Sequence, residues 1–347
     1  MQKFLRLSFA LLIGILAGCS TAPQVPFAAP AAEPVRRAAE AQIKARCARL
    51  KAVLAPLRVR ETGFSHRAFA GFRADEVCRF IAAAGFNRIC LQISSASELD
   101  EGFIAFLKAA KAEKLPVDVM LRQEDFLQSP RGQALMRRFE DPAPDIAGVI
   151  RRLDALNGSL PGDAEKISRV ILAVAPHKLT GRKTGQIFAW SGNSFGPGLD
   201  NDMLMRQTLD MLRKLDPGSM KLVAAVPDFY HELAVQKKLT CGTVADFAAV
   251  CKKKAAVLLL STGNKPSQII AGSRNELISA GKKQDIQLGI ELADHTSVSS
   301  GKLRRRDWND LVRIIDYVVK EHKKYPEFCG IMLTPLPVLK YLIMEQD

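Results

Sequence analysis

Apolar runs of strand length alternate with longer helical segments along most of this chain, and this alternation limits the fold more than any other feature. Seven such runs predict strands at Phe86–Ile93, Pro116–Leu121, Arg169–Ala175, Lys221–Val226, Ala256–Leu260, Gln287–Glu291 and Gly330–Thr334. A further short strand is expected between Arg58 and Phe69. Because strands that are apolar along their whole length are buried on both faces, the pattern indicates a parallel sheet covered by helices.

Eight strand–helix units predict an α/β protein with a TIM-like (β/α)8 barrel. A doubly wound sheet is the alternative, and that fold usually binds its ligand at a glycine-rich turn after the first strand. The chain has neither a G-x-G-x-x-G nor a G-x-x-x-x-G-K-[ST] motif, which favours the barrel. An N-terminal helix at Ala38–Leu54 and a long loop at Lys178–Leu199, after the fourth strand, complete the predicted architecture.

The start of the chain carries the pattern of a targeting signal. Lys3 and Arg6 accompany the apolar run Leu5–Ile15, which leads into Leu16-Ala17-Gly18-Cys19. Charge, apolar core and small residues in this order are typical of a secretory signal peptide. With the final Cys they resemble the lipobox of bacterial lipoproteins. The resemblance implies removal of residues 1–18 and acylation of Cys19, and the acyl chains would hold the protein on a membrane face.

The residues after Cys19 extend this prediction. By resemblance to lipoprotein sorting, Ser20 in place of Asp favours the outer membrane in a Gram-negative cell, so the expected location is the cell envelope. The segment Thr21–Pro34 is rich in Ala and Pro and is typical of a flexible tether. The predicted organisation is therefore a signal peptide (1–18), a lipidated tether (19–35) and one barrel domain (36–347) that includes the N-terminal helix.

The net charge of +14 bears on the partners. A basic protein tethered to a membrane can meet anionic head groups, anionic glycans or nucleic acid. The sequence has no zinc-finger spacing, no aromatic RNA-binding signature and no dense basic tract beyond Lys252-Lys253-Lys254 and Arg304-Arg305-Arg306. A nucleic-acid partner is therefore not expected. Without a C-x-x-C pair, the seven Cys residues indicate neither a redox motif nor a structural zinc site.

Carboxylates follow several predicted strands at the end where barrel enzymes build their active sites. Glu291 ends an otherwise apolar strand, Asp228 follows Val226-Pro227, and Glu124 follows the third strand. Two carboxylates on different strands can act as acid and base when their environments separate their pKa values. Glycoside hydrolysis needs such a pair, because its transition state resembles an oxocarbenium ion. Glu291 with Asp228 or Glu124 is the predicted catalytic pair.

Other side chains near the strand ends are predicted to bind substrate. They are His66, Arg122, His177, Trp190 and Tyr230. The rings of Trp190 and Tyr230 could offer flat apolar faces to a sugar. Structural roles compete with these predictions. Asp228 suits the N-cap of a short helix at Phe229–Val235, and Glu291 could pair with Arg122 or Lys178.

From Arg58 to Leu342 the pattern resembles glycoside-hydrolase-like barrels of bacterial lipoproteins. The resemblance implies an enzyme that acts on a polysaccharide, and the basic charge would suit an anionic one. The chain departs from many retaining glycosidases of this architecture, which carry an Asn-Glu pair after the fourth strand, because Pro176-His177-Lys178 stands there.

Two alternatives to a glycosidase stay open. One is a non-catalytic lipoprotein that binds glycans or serves as an envelope scaffold. The other is a metal-dependent hydrolase using His177, Asp228 and His295. The H-x-H pattern typical of metal-dependent barrel hydrolases is absent from the sequence, and neither a metal nor another cofactor is expected.

Overall fold

The computed structural model describes residues 33–69, 73–127, 143–162, 166–174, 176, 180–183, 186–189, 199–236, 239–251, 257–261, 265–279, 285–292 and 308–344. The chain divides into two compact units, Met1–Ile43 and Lys44–Asp347. The described residues of the first unit, 33–43, are helical. The predicted signal peptide and Cys19 lie outside the described residues. In the described part of the chain, no helix combines the length and the apolar content needed to cross a membrane.

The second unit is built on a closed barrel of eight parallel strands, which confirms the predicted (β/α)8 fold. The strands of the barrel are β1 (Val59–Ser65), β2 (Arg88–Ile93), β3 (Val117–Arg122), β4 (Ile167–Ala173), β7 (Lys221–Pro227), β8 (Val257–Leu260), β9 (Ile286–Glu291) and β10 (Phe328–Thr334). Around the barrel they follow one another in chain order, and β1 pairs with β10 to close it.

Two further strands form an antiparallel hairpin in the long segment after β4. They are β5 (Thr180–Lys183) and β6 (Gln186–Ala189). The sequence predicted only a loop there, because both strands are only four residues long and β5, with Thr180, Arg182 and Lys183, lacks the apolar run that marks the barrel strands.

Helices follow the strands as the alternating pattern predicts. They are α1 (Glu33–Leu54), α2 (Ala74–Ala83), α3 (Glu101–Ala112), α4 (Gln123–Leu127), α5 (Ala143–Ser159), α6 (Leu199–Lys214), α7 (Phe229–Val235), α8 (Val244–Val250), α9 (Pro266–Ser279), α10 (Trp308–His322) and α11 (Leu336–Met344). Short 3-10 turns lie at His66–Phe69 and Ala96–Glu98. In α10 the buried residues include Leu311, Ile315 and Val318, a spacing that puts one apolar stripe against the barrel.

A layer of charged and amide side chains crosses the inside of the barrel near the amino ends of its strands. Arg169 Nη2 donates hydrogen bonds to Glu61 Oε2 and Asp118 Oδ2, each at 2.7 Å. Gln287 Nε2 also donates to Glu61 Oε2 at 2.7 Å, and Arg88 Nη2 donates to Asp118 Oδ1 at 2.7 Å. Because β1, β4 and β9 are not all neighbours, these side chains can meet only inside the barrel. We call Glu61, Arg88, Asp118, Arg169 and Gln287 the interior layer.

The two carboxylates of the interior layer differ in protonation. Burial raises the pKa of Glu61 to about 7, although Arg169 opposes the rise. Burial also disfavours ionisation of Asp118, but Arg169 and Arg88 outweigh it and hold the pKa of Asp118 below its ordinary value. Glu61 Oε1 is buried and has no hydrogen-bond partner among the described residues. Arg169 therefore neutralises Asp118 well and Glu61 less completely.

Candidate functional site at the carboxyl end of the barrel

Strand pairing shows which side chains face inward at the carboxyl end of the barrel. Side chains alternate between the two faces of a strand, so residues four positions apart share a face. The residues four positions after Glu61, Asp118, Arg169 and Gln287 of the interior layer therefore also face inward. They are Ser65, Arg122, Ala173 and Glu291. Residues paired with them or aligned through neighbouring strands face inward as well. The complete set, which includes Pro227 of β7 because it pairs with Leu260 and which we call the mouth ring, is Ser65, Gln92, Arg122, Ala173, Pro227, Leu260, Glu291 and Thr334.

The mouth ring is open to solvent, whereas the strands below it are closed. Ala173 and Pro227 are buried, and the other members are of intermediate exposure. The interior of β9 is buried from Ile286 to Ile290, and exposure begins at Glu291. β3 shows the same change at Arg122. The barrel therefore presents a partly exposed cleft at the end where barrel enzymes carry their active sites.

Glu291 and Arg122 are the two charged members of the mouth ring. They lie on β9 and β3, which are opposite one another around the eight strands. The sequence placed both residues at strand ends, and the register puts both side chains on the inner face. Lys178, the other cation expected near Glu291, lies outside the described residues. The mouth thus carries a carboxylate on one side and a guanidinium on the other.

Asp228 faces a different direction. It follows β7 on the outer face, it is 4% exposed, and its backbone N–H donates to the Leu260 carbonyl oxygen at 3.0 Å. A Cβ built on Gly272 of α9 would lie 2.5 Å from Asp228 Oδ2, so the carboxylate lies against that helix and not in the mouth. Asp228 occupies the N-cap position of α7 as expected, but its side chain makes no capping hydrogen bond.

Two of the predicted substrate-binding side chains pack against helices. Tyr230 is 1% exposed, and its ring stacks on Phe247 with 6.4 Å between the centroids. The ring of His66 meets Phe103 edge to face at 5.6 Å, and its Nε2 lies 3.4 Å from Asp100 Oδ1. Both rings are therefore engaged with α8 or α3 in this structure.

Four residues of the predicted sites cannot be placed by their side chains. His177 and Trp190 lie outside the described residues, as does His295, which the metal-dependent alternative needs. The backbone of Glu124 belongs to α4, but its side chain is outside the described part. Among the described residues, no group of three or more His, Cys, Asp or Glu side chains is arranged to hold a metal ion.

Polar residues that the sequence analysis did not select complete the rim of the mouth. Gln92 Nε2 donates to Asp125 Oδ2 at 3.3 Å, which joins the mouth ring to α4. Glu98 is 5% exposed, and its Oε1 accepts from the backbone N–H and the Oγ of Ser94, at 2.9 and 2.6 Å. Arg67 Nη2 lies 3.2 Å from the same oxygen. Asp125 follows a predicted strand in the sequence, whereas only the folded loop reveals the burial of Glu98.

A cavity of about 660 Å³ opens beside the mouth ring, within the size range of small-molecule sites. Its walls come from the loop after β2, from α4 and from one side of α5. Asp125 lines this cavity and is also bonded to Gln92, so the cavity and the mouth share a wall.

No known protein family model matches the chain, and no curated protein matches it in sequence. Solved structures with a similar arrangement include fungal β-1,4-galactanases, at 13% identity and a TM-score of 0.44 over 80% of this chain and 89% of that one. A chitinase from Chromobacterium violaceum shares 12% identity at a TM-score of 0.44, covering 83% of this chain and 96% of that one.

A xylose isomerase domain protein from Planctomyces limnophilus matches at 9% identity and a TM-score of 0.44, over 82% of this chain and 96% of that one. A glycoside hydrolase family 20 β-N-acetylglucosaminidase matches at 10% identity and a TM-score of 0.41, over 80% and 64% of the two chains. At these identities and TM-scores, the likenesses carry no argument about reaction or substrate.

Proposed function

We propose that this chain is a carbohydrate-active barrel that hydrolyses glycosidic bonds at its mouth ring, with Glu291 as one of two reacting carboxylates. The observation that carries the proposal is the position of Glu291. It is an inward-facing, partly exposed carboxylate at the end of a strand that is buried up to Ile290. A carboxylate in an open cleft at the carboxyl end of a barrel is what acid–base or nucleophilic chemistry on a sugar requires.

The second carboxylate is assigned to α4. Asp228 lies against α9, so it does not share the cleft with Glu291. Asp125 lies beyond β3, on the far side of the mouth from β9, and Gln92 holds it at the rim. Glu124 of the same helix is the alternative. One carboxyl would protonate the leaving oxygen, and the other would attack the anomeric carbon or activate water.

Arg122 adds a positive charge to the same cleft. Its guanidinium lies on β3 and faces the mouth from the side opposite Glu291. A guanidinium binds carboxylates and sulfates through a planar fork of donors. An acidic sugar bound next to the cleavage point could therefore be oriented by Arg122 while Glu291 acts on the glycosidic oxygen.

The location is part of the proposal. The charged start, the apolar run and Leu16-Ala17-Gly18-Cys19 support a lipid-anchored protein of the cell envelope, in the outer membrane of a Gram-negative cell. Such an anchor would present the mouth ring to envelope or extracellular polysaccharides. These polymers are too large to enter a buried site, so an open cleft suits them.

The test is the substitution Glu291→Gln, measured as release of reducing ends from a panel of acidic and neutral polysaccharides. We expect a loss of at least about 100-fold, the usual size of a general acid–base contribution. Asp125→Asn and Glu124→Gln identify the second carboxylate in the same assay. Glu101→Gln, an exposed carboxylate in the first turn of α3, is the matched control.

Thermal unfolding of each variant should match the wild-type protein, because Glu291 is not part of the core. Wild-type rates in Glu291→Gln would remove Glu291 from the reaction. Binding of a polysaccharide without cleavage by the wild-type protein would leave a glycan-binding barrel in place of an enzyme.

A further inference from the structure

The cavity beside the mouth has one regular wall, formed by α5. Asp145, Gly148, Arg152 and Ala155 line it at a spacing of three or four residues, so they form a stripe along one side of the helix. The helix precedes β4 and runs opposite to the strands, so Asp145 lies at the rim and Arg152 further down the side of the barrel. The cavity is therefore a groove that leads away from the mouth.

Gly148 is one of the residues that line this groove. Glycine inside a helix costs roughly 0.5–1 kcal/mol relative to alanine. Packing does not demand glycine here, because the nearest described atom to a Cβ built at this position is Arg151 Nη2, at 4.0 Å. Its φ is not in the left-handed region that favours glycine. As far as the described residues go, the missing side chain therefore leaves space in the groove that a bound ligand would use.

The charges of the groove separate along its length. Asp145 lies in the first turn of α5, where the helix dipole favours an acidic residue, and Asp125 is bonded to Gln92. At the other end, Arg151 and Arg152 are exposed on α5, and neither forms an ion pair with any described residue. Asp125 thus has a local partner, whereas within the described part of the chain no carboxylate pairs with the two guanidinium groups, which can contact an anion.

We infer that this groove binds the sugar residues adjacent to the cleavage point of an acidic polysaccharide, with Arg151 and Arg152 contacting its carboxylate or sulfate groups. The inference rests on the proposed function, because the groove starts at the mouth through Asp125. It adds a binding groove for several sugar residues and the two side chains that contact their acidic groups. A neutral chain would gain no charge attraction from the two arginines.

The first experiment fills the groove. Gly148→Leu places a branched side chain in the open space, and Gly158→Leu is the control, since Gly158 lies on the same helix, outside the groove, with no described atom within 4 Å of a built Cβ. Binding of oligogalacturonates and of chondroitin sulfate oligosaccharides to the full mature chain is measured by calorimetry. We expect Gly148→Leu to weaken binding about tenfold or more, which corresponds to ~1.4 kcal/mol. Gly158→Leu should leave affinity unchanged.

The second experiment removes the charges. Arg151→Gln with Arg152→Gln should weaken binding of the acidic oligosaccharides and reduce its dependence on salt, because fewer screened charge contacts remain. Cello-oligosaccharides of matched length should bind more weakly than the acidic ones to the wild-type protein, and the double variant should not change their affinity.

The outcomes separate this inference from the proposed function. Equal binding by Gly148→Leu and Gly158→Leu would overturn the groove. A wild-type protein that binds neither acidic probe, or that prefers neutral chains, would overturn the substrate class. If the groove variants lose binding while the wild-type protein cleaves none of the polysaccharides, the groove stands and the catalytic proposal fails. If Glu291→Gln abolishes cleavage while the groove variants bind normally, the reverse holds.

Discussion

The sharpest physical prediction concerns Glu61, the carboxylate of the interior layer with a buried, unpartnered oxygen. The perturbation is Glu61→Gln, which keeps the shape of the side chain and removes its charge. Gln287 and Arg169 still contact one atom of the side chain, so the geometry of the interior layer should survive. In the unfolded wild-type chain Glu61 gives up its proton, and folding must then bury this group. Glu61→Gln removes that requirement.

The magnitude follows from the raised pKa of Glu61. Burial moves this pKa from its ordinary 4.5 to about 7, so the folded protein holds the proton more tightly than the unfolded chain. Below pH 4.5 both states are protonated and the free energy of unfolding does not depend on this group. Between 4.5 and about 7 the unfolded chain loses the proton first, and the free energy of unfolding falls as pH rises. Above that window the total loss is about 3 kcal/mol.

The assay is urea unfolding of wild-type protein and Glu61→Gln at several pH values from 5 to 8.5. The two proteins should be similar in stability at the acidic end, and the variant should become more stable than wild type, by up to about 3 kcal/mol, at the alkaline end. Glu101→Gln, which removes an exposed carboxylate, controls for the change in net charge. A difference between wild type and Glu61→Gln that is constant over this range, or one that favours wild type at pH 8.5, would refute the reasoning.

Two further predictions test the seam of the barrel and the anchor. Gly330→Ala should destabilise the protein by about 3 kcal/mol or more in urea unfolding, because the new Cβ would lie 1.9 Å from the Val59 carbonyl oxygen in the pairing that closes the barrel. The control Gly158→Ala, which has no described atom within 4 Å of the new Cβ, should be neutral or slightly stabilising. Equal effects of the two substitutions would contradict this account. Cys19→Ser should move the protein from the membrane to the soluble fraction of a cell lysate and abolish labelling by a clickable palmitate analogue; retention of both would exclude acylation of Cys19.

Much of the fold could be predicted from the sequence, because the barrel strands are buried on both faces. Continuous apolar runs such as Lys221–Val226 and Gly330–Thr334 therefore mark the strands within a residue or two, and the amphipathic pattern placed α10 at Trp308–His322, as observed. The hairpin of β5 and β6 could not be predicted this way. It lies outside the barrel, and its four-residue strands are too short to show a strand period in the sequence.

The site was less predictable, because a residue at a strand end can face either side of the barrel. Glu291 lies on the inner face and Asp228 on the outer face, although both carboxylates follow apolar strands. The strand register decides between them, and the register depends on strand boundaries that the sequence fixes only to within a residue or two. The pairing of Gln92 with Asp125 depends in addition on the path of the chain after β3.

The interior layer has a consequence for the order in which the molecule can assemble. Its contacts join residues far apart along the chain, since Arg169 and Glu61 are separated by 108 positions and Glu61 and Gln287 by 226. A chain that has collapsed only as far as β4 already brings Glu61 and Asp118 together with Arg169, yet it lacks the amide from β9 and the β1–β10 pairing that shield them from water. The charge pairs of a partial barrel therefore stay in contact with water, and only closure of the ring adds the Gln287 amide and buries them. Because this closure depends on contacts between distant parts of the chain, we expect it to be slow.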